Sequence, residues 1–350
     1  MERIRFCCLV VALLVVAVSD GALDAQVPFY QGKTITVIVS SNAGGTSDLR
    51  VKSLMPYLQK YIPGNPTIVL EYMPGGGGRK AANHVFRTGK PDGLIIGIMG
   101  TTLLAAAIQA EAGVLYDINK FIYLGSSDAT TQHIFSTRQE IGLTNLEKLR
   151  GASGIRIGAQ SIGHNIYITG RLFAFFLSLR DSKFVVGYSG PEVDLALLRG
   201  EVDARSSLIA SIVQRTPEWV DKGLVNFHAV LETPKGNRHP RFAHLPELET
   251  FAKSERERKV LALQRAIRLG GSAIVFPPNT PRDRVEILQA AMRKALTDPG
   301  FPASFRKLVG EDPTPLMPEE LQKVIQEVPR DLEVVALFNK IAGAERLPER

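Results

Sequence analysis

Cysteine is almost absent: the two in the 350-residue chain, Cys7 and Cys8, both fall within the first eight residues. The remainder therefore has no means of forming a disulfide, a thiolate metal site or a cysteine nucleophile. Long apolar runs are equally scarce. The longest, Phe6–Val18, is thirteen residues, well short of the ~20 that a helix needs to cross a bilayer core. Sequence repeats are missing, and the only low-complexity stretch is Gly75–Gly78, which excludes solenoids and disordered tails. Gly-x-Ser-x-Gly does not occur; the segment around Ser161 is a near miss. His239 and His244 lie five apart in a proline-containing segment with no thiolate nearby, so no metal site is expected. Trp219, the single tryptophan, reads as core packing.

What is present begins with a basic start, Arg3 and Arg5, ahead of Phe6–Val18 and then Ser19-Asp20-Gly21-Ala22. This is the layout of a secretory signal peptide, expected over residues 1–25 with cleavage after Ala22 or Ala25. Without it the chain carries 40 basic and 32 acidic residues. A modest positive field suits a small anion. The basic residues are interspersed with acidic ones, and an exported protein does not meet nucleic acid, so nucleic-acid binding is not expected. About 325 residues exceed a single domain of roughly 100–200, which makes two the expectation.

Short Val/Ile-rich runs alternate with segments of helical period. Thr34–Ser40, Ile68–Met73, Leu94–Met99, Phe121–Ser126, Ile155–Gln160, Phe184–Tyr188, Val225–Val230 and Ala273–Phe276 read as strands. Between Asp48 and Ile62, the residues Val51, Leu54, Met55, Leu58 and Ile62 share one helical face. Asn165–Leu179 and Pro191–Arg199 are further helices, and Thr280-Pro281-Arg282-Asp283 reads as a capped start of a helix running to about Thr297. The alternation is that of a parallel α/β sheet, whose ligands sit at the carboxyl ends of the strands.

Two loops lie at such ends. Ser40-Ser41-Asn42-Ala43-Gly44-Gly45-Thr46-Ser47-Asp48 joins the first strand to the first helix, without the spacing of a nucleotide loop. It reads equally as a cradle of backbone N–H groups for an anion and as a tight turn with Asp48 as helix cap. Ser161-Ile162-Gly163-His164-Asn165 precedes a helix in the same way. His164 is either a polar loop side chain or a base for Ser161. The turn Gly75–Gly78, followed by Arg79-Lys80, reads as structural.

Gly32–Asp48, Tyr72–Gly78, Lys90-Pro-Asp-Gly93, Leu198–Asp203, Phe276–Pro281 and Leu296–Pro299, taken in order, cover nearly the whole chain after the leader. In this series the chain resembles the tripartite tricarboxylate transporter substrate-binding family, the Bug-type receptors. The resemblance implies an α/β, type II periplasmic binding-protein fold: two α/β domains, residues 26–125 with 271–350 and residues 126–270, joined by two crossover segments around a ligand cleft. It further implies a periplasmic, monomeric protein that captures a small organic carboxylate for integral membrane transporter subunits, with no catalysis, cofactor or metal. The matching positions for ligand binding are Asn42, Ala43, Gly44, Gly45 and Asp48 on one domain and Ser161, Gly163, His164 and Asn165 on the other. Thr101, Thr102, Tyr188 and Ser207 complete the set.

The chain departs from the family pattern in three places. Ala43 stands where relatives usually have proline, Tyr167 where many have histidine, and Ser207 where an acid is frequent. Loss of that acid favours a plain carboxylate over an amino acid. Two other functions remain open at this point: a sensor that signals occupancy, and an exported hydrolase using Ser161 and His164.

Overall fold

The computed structural model describes residues 27–44 and 46–350. The expected leader and Gly45 lie outside the described residues. In chain order the strands are β1 Thr34–Val39, β2 Thr67–Tyr72, β3 Ile95–Ile98, β4 Ile122–Gly125, β5 Thr131–Arg138, β6 Arg156–Gly158, β7 Lys183–Val185, β8 Ala204–Leu208, β9 Val225–Thr233 and β10 Ile274–Phe276. The helices are α1 Thr46–Tyr61, α2 Arg79–Arg87, α3 Thr102–Ile108, α4 Leu146–Gly151, α5 Asn165–Phe176, α6 Gly190–Leu198, α7 Ile209–Arg215 and α8 Glu218–Asp221. They continue with α9 Glu255–Leu269, α10 Arg282–Leu296, α11 Phe301–Val309, α12 Pro318–Glu327 and α13 Leu332–Ala342.

Two five-stranded sheets result, ordered β2-β1-β3-β10-β4 and β7-β6-β8-β5-β9. Each is mixed rather than parallel. β1 pairs in parallel with β2 and β3, and β6 with β7 and β8, but β10 runs antiparallel between β3 and β4, and β5 antiparallel between β8 and β9. The reason lies in the path: the chain leaves the first sheet through Ser126–Thr130, and β10 is the strand that brings it back from the second. Each sheet thus takes in one strand from a crossing connection rather than from a βαβ unit. The crossing segment is held by bridges Ser126–Leu316 and Asp128–Thr314.

The apolar face expected on α1 is buried, with Val51, Leu54, Leu58 and Ile62 at 3% exposure or less, packed under β1 and against α10 and α11. Trp219 is fully buried in the second lobe, with Val193, Leu197 and Ile212 in the same cluster. A third cluster runs without interruption from Ile38 and Leu104 through Val260 and Phe338 to Phe135 and Phe173. The lobes therefore share apolar packing along α9 and α13. No helix among the described residues is long and apolar enough to cross a membrane.

Two further expectations need correction. β5 and β8 were not anticipated, because their buried residues include His133, Ser136, Thr137, Arg205, Ser206 and Ser207, which break the apolar signature. The helix α10 begins at Arg282 with no side-chain cap; Thr280 Oγ1 donates instead to Pro277 O at 2.9 Å. α13 and the tail that follows lie on α5 and α9. The apolar stripe Val334, Leu337, Phe338 and Ile341 drives that packing, and Tyr167 Oη donates to Gly343 O at 3.0 Å.

Candidate functional site

The first loop leaves β1 with Ser40 N donating to Ile98 O at 3.1 Å. Asn42, Ala43 and Gly44 are exposed. Gly44 has φ of 83°, a left-handed conformation that costs glycine little, and its N–H turns inward to Asp48 Oδ2 at 2.7 Å. Asp48 is fully buried and also accepts from Lys52 Nζ at 2.7 Å and from Tyr72 Oη at 2.6 Å. Burial alone would raise its pKa, but the hydrogen bonds from Lys52, Tyr72 and Gly44 outweigh it and hold the carboxyl below its usual range. All of its hydrogen bonds are spent within the loop and its supports. Asp48 thereby fixes the shape of the loop.

The second loop follows β6. Ser161, Gly163 and His164 are exposed, and Asn165 is half-buried at the start of α5. His164 Nδ1 accepts from Ile166 N at 3.2 Å, so the ring caps the helix. Among the described residues no side-chain hydrogen bond joins His164 to Ser161; their link is backbone, His164 N to Ser161 O at 3.0 Å. A nucleophile and base pair is thus not assembled there.

Thr101 and Thr102 open α3, and Thr102 Oγ1 donates to Gly77 O, so the four-glycine turn is folded beneath this helix start. A cavity of about 290 Å³ has Thr101, Thr102, Gly163 and Asn165 on its walls, with Gln264 and Ile267 of α9. Two sequence-chosen residues from each lobe therefore meet on one small cavity, near the lower end of roughly 300–1,000 Å³ for ligand sites. Next to Thr101, Gly100 joins Ser40, Ser41, Arg50, Ser127 and Ser272 around a narrower crevice against the first loop. Ser41 Oγ is buried there without a partner.

Ser207 and Tyr188 line neither this cavity nor the crevice. Ser207 is 2% exposed on β8, opposite Ile134 of β5, with Oγ lacking a partner. Tyr188 packs against the cluster around Val193 and Trp219, and its hydroxyl contacts Glu201 at 3.5 Å.

The structure also adds residues that the sequence reading missed. Gln264 Nε2 donates to Asn165 Oδ1 at 3.3 Å, and Asn165 Nδ2 donates to His133 Nε2 at 2.8 Å. His133 is fully buried and, accepting at Nε2, carries its proton on Nδ1, which has no partner. Burial, followed by the charges of Arg268 and His164, pushes its pKa down to about 3, so the ring is neutral. Arg50 Nη2 binds Asp128 at 2.7 Å and Glu311 at 2.9 Å, tying α1 to the crossing segment and to the turn after α11. Arg268, near the C-terminal end of α9, has Nε buried with no partner. Burial pushes the pKa of its guanidinium down to about 10. A helical spacing of four between Gln264 and Arg268 was the available signal.

Two lobes of this construction, with loop and helix-start residues of both lining one cavity, define the two-lobed solute-binding fold of type II periplasmic binding proteins. No family model matches the sequence, and no curated protein does. Solved structures do match. The periplasmic binding protein BugD is 22% identical, with a TM-score of 0.59, over 90% of this chain and 99% of its own. A TctC solute-binding protein from Polaromonas is 18% identical, with a TM-score of 0.64, over 89% of this chain and 98% of its own. MatC from Rhodopseudomonas palustris, solved with bound malate, is 20% identical, with a TM-score of 0.57, over 89% of this chain and 99% of its own. At these identities the likeness is one of fold. It is to Bug and TctC solute-binding proteins along nearly their whole length.

Proposed function

We propose that this chain is an exported Bug/TctC-type receptor that captures a small organic carboxylate and delivers it to integral membrane subunits of a tripartite tricarboxylate-type transporter. The observation that carries the reading is the meeting of Thr101 and Thr102 with Gly163 and Asn165 on one cavity, beside a first loop whose geometry Asp48 fixes. Free backbone N–H groups at two loop-to-helix starts suit a carboxylate, and such groups do no chemistry on it. The malate seen in MatC agrees with that ligand class. Residues 26–125 with 271–350 form one lobe in this proposal, with α13 packed across onto the other, residues 126–270. The protein works as a monomer that closes on its ligand.

Thermal-shift screening of the chain without residues 1–25 against mono- and dicarboxylates tests the proposal. A ligand at 100 times its Kd adds ~2.7 kcal/mol of stability. No stabilisation by any organic acid, together with no small molecule retained in native mass spectrometry, would refute capture. Turnover of a carboxylate ester or amide that is lost in His164→Ala would replace it with the hydrolase reading.

A further inference from the structure

A second cavity, of about 780 Å³, lies between α5, β7 and the segment 344–350 that follows α13. It is larger than the cavity at the two loops and shares only Ile162 with it. Tyr167, Arg171, Ala174, Phe175 and Ser178 line it at the spacing of one helical face. The segment 344–350 lies across that face and is anchored twice. Near its start the buried Arg171 donates to Glu345 O at 2.6 Å and to Ile341 O. Further along, Arg350 pairs with Glu257 at 2.7 Å and donates to the carbonyls of Phe176 and Phe251. The cavity is the space that these anchors leave open between the segment and the lobe.

Its walls are of two kinds. Phe175, Leu179, Phe184 and Leu347 are apolar, and so are Ile162 and Val186, large side chains left 57% and 41% exposed. The charged groups are mainly basic: Arg180, Lys253 and Arg346 join Arg171 and Arg350, against Asp181, Glu345 and Glu349. Arg171 and Arg350 are spent on anchoring the segment. Among the described residues, Arg180 donates only to Gly151 O, Lys253 hydrogen-bonds through its backbone N–H alone, and Arg346 reaches Asp181 only at 3.6 Å. Ser182 Oγ is buried on the same cavity without a partner. A small inorganic anion would leave the apolar walls wet, and a neutral hydrocarbon would leave the cations and the serine hydroxyl unanswered. We propose that this cavity is a second binding site, outside the cleft between the loops, for a single-chain amphiphile of the fatty-acid class. The alkyl chain lies on Phe175, Phe184 and Val186, and the anionic head is received among Arg180, Ser182 and Lys253.

Calorimetric titration of the chain without residues 1–25 tests this, using octanoate, 1-octanol and octylammonium as probes. The expected result is octanoate bound at least about tenfold more tightly than the other two. Arg180→Glu combined with Lys253→Glu lowers octanoate affinity about tenfold and leaves 1-octanol unchanged, whereas Val186→Trp, which puts a bulky side chain into the cavity, weakens both. All three positions are exposed, and unchanged melting midpoints verify that the variants keep the fold. Irradiation of the parent with a diazirine-bearing octanoate, followed by peptide mapping, locates the site without any variant. Label within 167–186 or 344–350 is expected. Label confined to 101–109 or 264–267 places the acid in the loop cavity and overturns the inference while leaving the receptor reading intact. Equal binding of octanoate and 1-octanol, or no binding of octanoate, overturns it in the same way. So does capture by phosphatidylglycerol vesicles without binding of free octanoate, which assigns the patch to a membrane surface.

Discussion

Replacing Asp48 by asparagine keeps the size of the side chain and removes its charge, and the structure specifies what is lost. Three donors converge on the carboxylate: Gly44 N, Lys52 Nζ and Tyr72 Oη, at 2.6–2.7 Å. An amide offers one acceptor oxygen and turns an N–H₂ group toward the remaining donors, so about two charge-assisted hydrogen bonds are lost. At ~1.5–3 kcal/mol each, and with part recovered because the half-exposed Lys52 is rehydrated, D48N should lose about 2–4 kcal/mol. Tyr72→Phe, which removes one donor and leaves the charge, should lose about 1–2 kcal/mol. The first loop is loosened by D48N, and affinity for a carboxylate probe should fall about tenfold through lost pre-organisation.

Urea denaturation followed by far-ultraviolet circular dichroism measures the stability term, with Trp219 fluorescence reporting on the second lobe. The pH dependence adds a separate check. Since the folded carboxyl titrates below its unfolded value of about 3.9, the stability it contributes is complete above that value and is lost as pH falls through the folded one. The gap between parent and D48N should therefore be constant from pH 5 to 8 and shrink below pH 4. A loss under about 0.5 kcal/mol at neutral pH, with unchanged affinity, would show that the loop holds its shape without Asp48 and would refute the reasoning.

Other expectations follow from equally specific contacts. His133 and His228 are buried with pKa values depressed to about 3 and about 4, so the unfolded chain binds more protons below its ordinary histidine value of ~6.5. Stability should fall from pH 6.5 toward 4, by about 2 kcal/mol per histidine at pH 5; denaturation across that range reads it, and His228→Gln should remove one proton's worth of slope. Arg265 binds Glu247 at 2.7 Å and Glu232 O at 2.9 Å, and it also pairs with Glu249. Arg265→Met leaves the buried Glu247 without its cation and Glu249 with Lys235 alone, and should cost about 3–5 kcal/mol in denaturation. Gly271→Ala brings a methyl against Thr101 and should cost about 1–3 kcal/mol while weakening carboxylate binding, seen by calorimetry.

The parts of the fold legible in the sequence were those built from one-sided apolar patterns. β1 and α1 bury stripes rich in Val, Ile and Leu, and α10 one of Leu, Ala and Met, and periodicity finds such stripes. β5 and β8 are central in the second sheet but carry His133, Ser136, Arg205 and Ser207 at buried positions, where apolar residues would ordinarily mark a strand. Their polar groups are satisfied, or left open, only by partners distant in the chain. Thr169 Oγ1 meets Ser206 Oγ at 2.9 Å, and Asn165 meets His133. No local rule reads such pairs. The direction of β10 was hidden for a similar reason: a three-residue apolar strand carries no sign of whether its partners run with it or against it.

The same division explains the site. Loops at strand ends announce themselves by glycine and small polar residues, so Asn42–Gly44 and Ser161–Asn165 were legible as loops, while their assignment to a ligand came from the family resemblance. The side chains that α9 turns toward the cavity, Gln264 and Ile267, lie inside a regular element. They occupy an ordinary amphipathic helix, and only folding brings α9 between the lobes, against Thr101 on one side and Asn165 on the other. Asp48 shows the converse. It stands in the loop where a ligand contact was expected, and its burial and three donors make it a support for the backbone. In the proposed receptor, sequence is informative about where the backbone opens. Which side chains face the opening depends on helix placement, and that is decided by packing along α9 and α13.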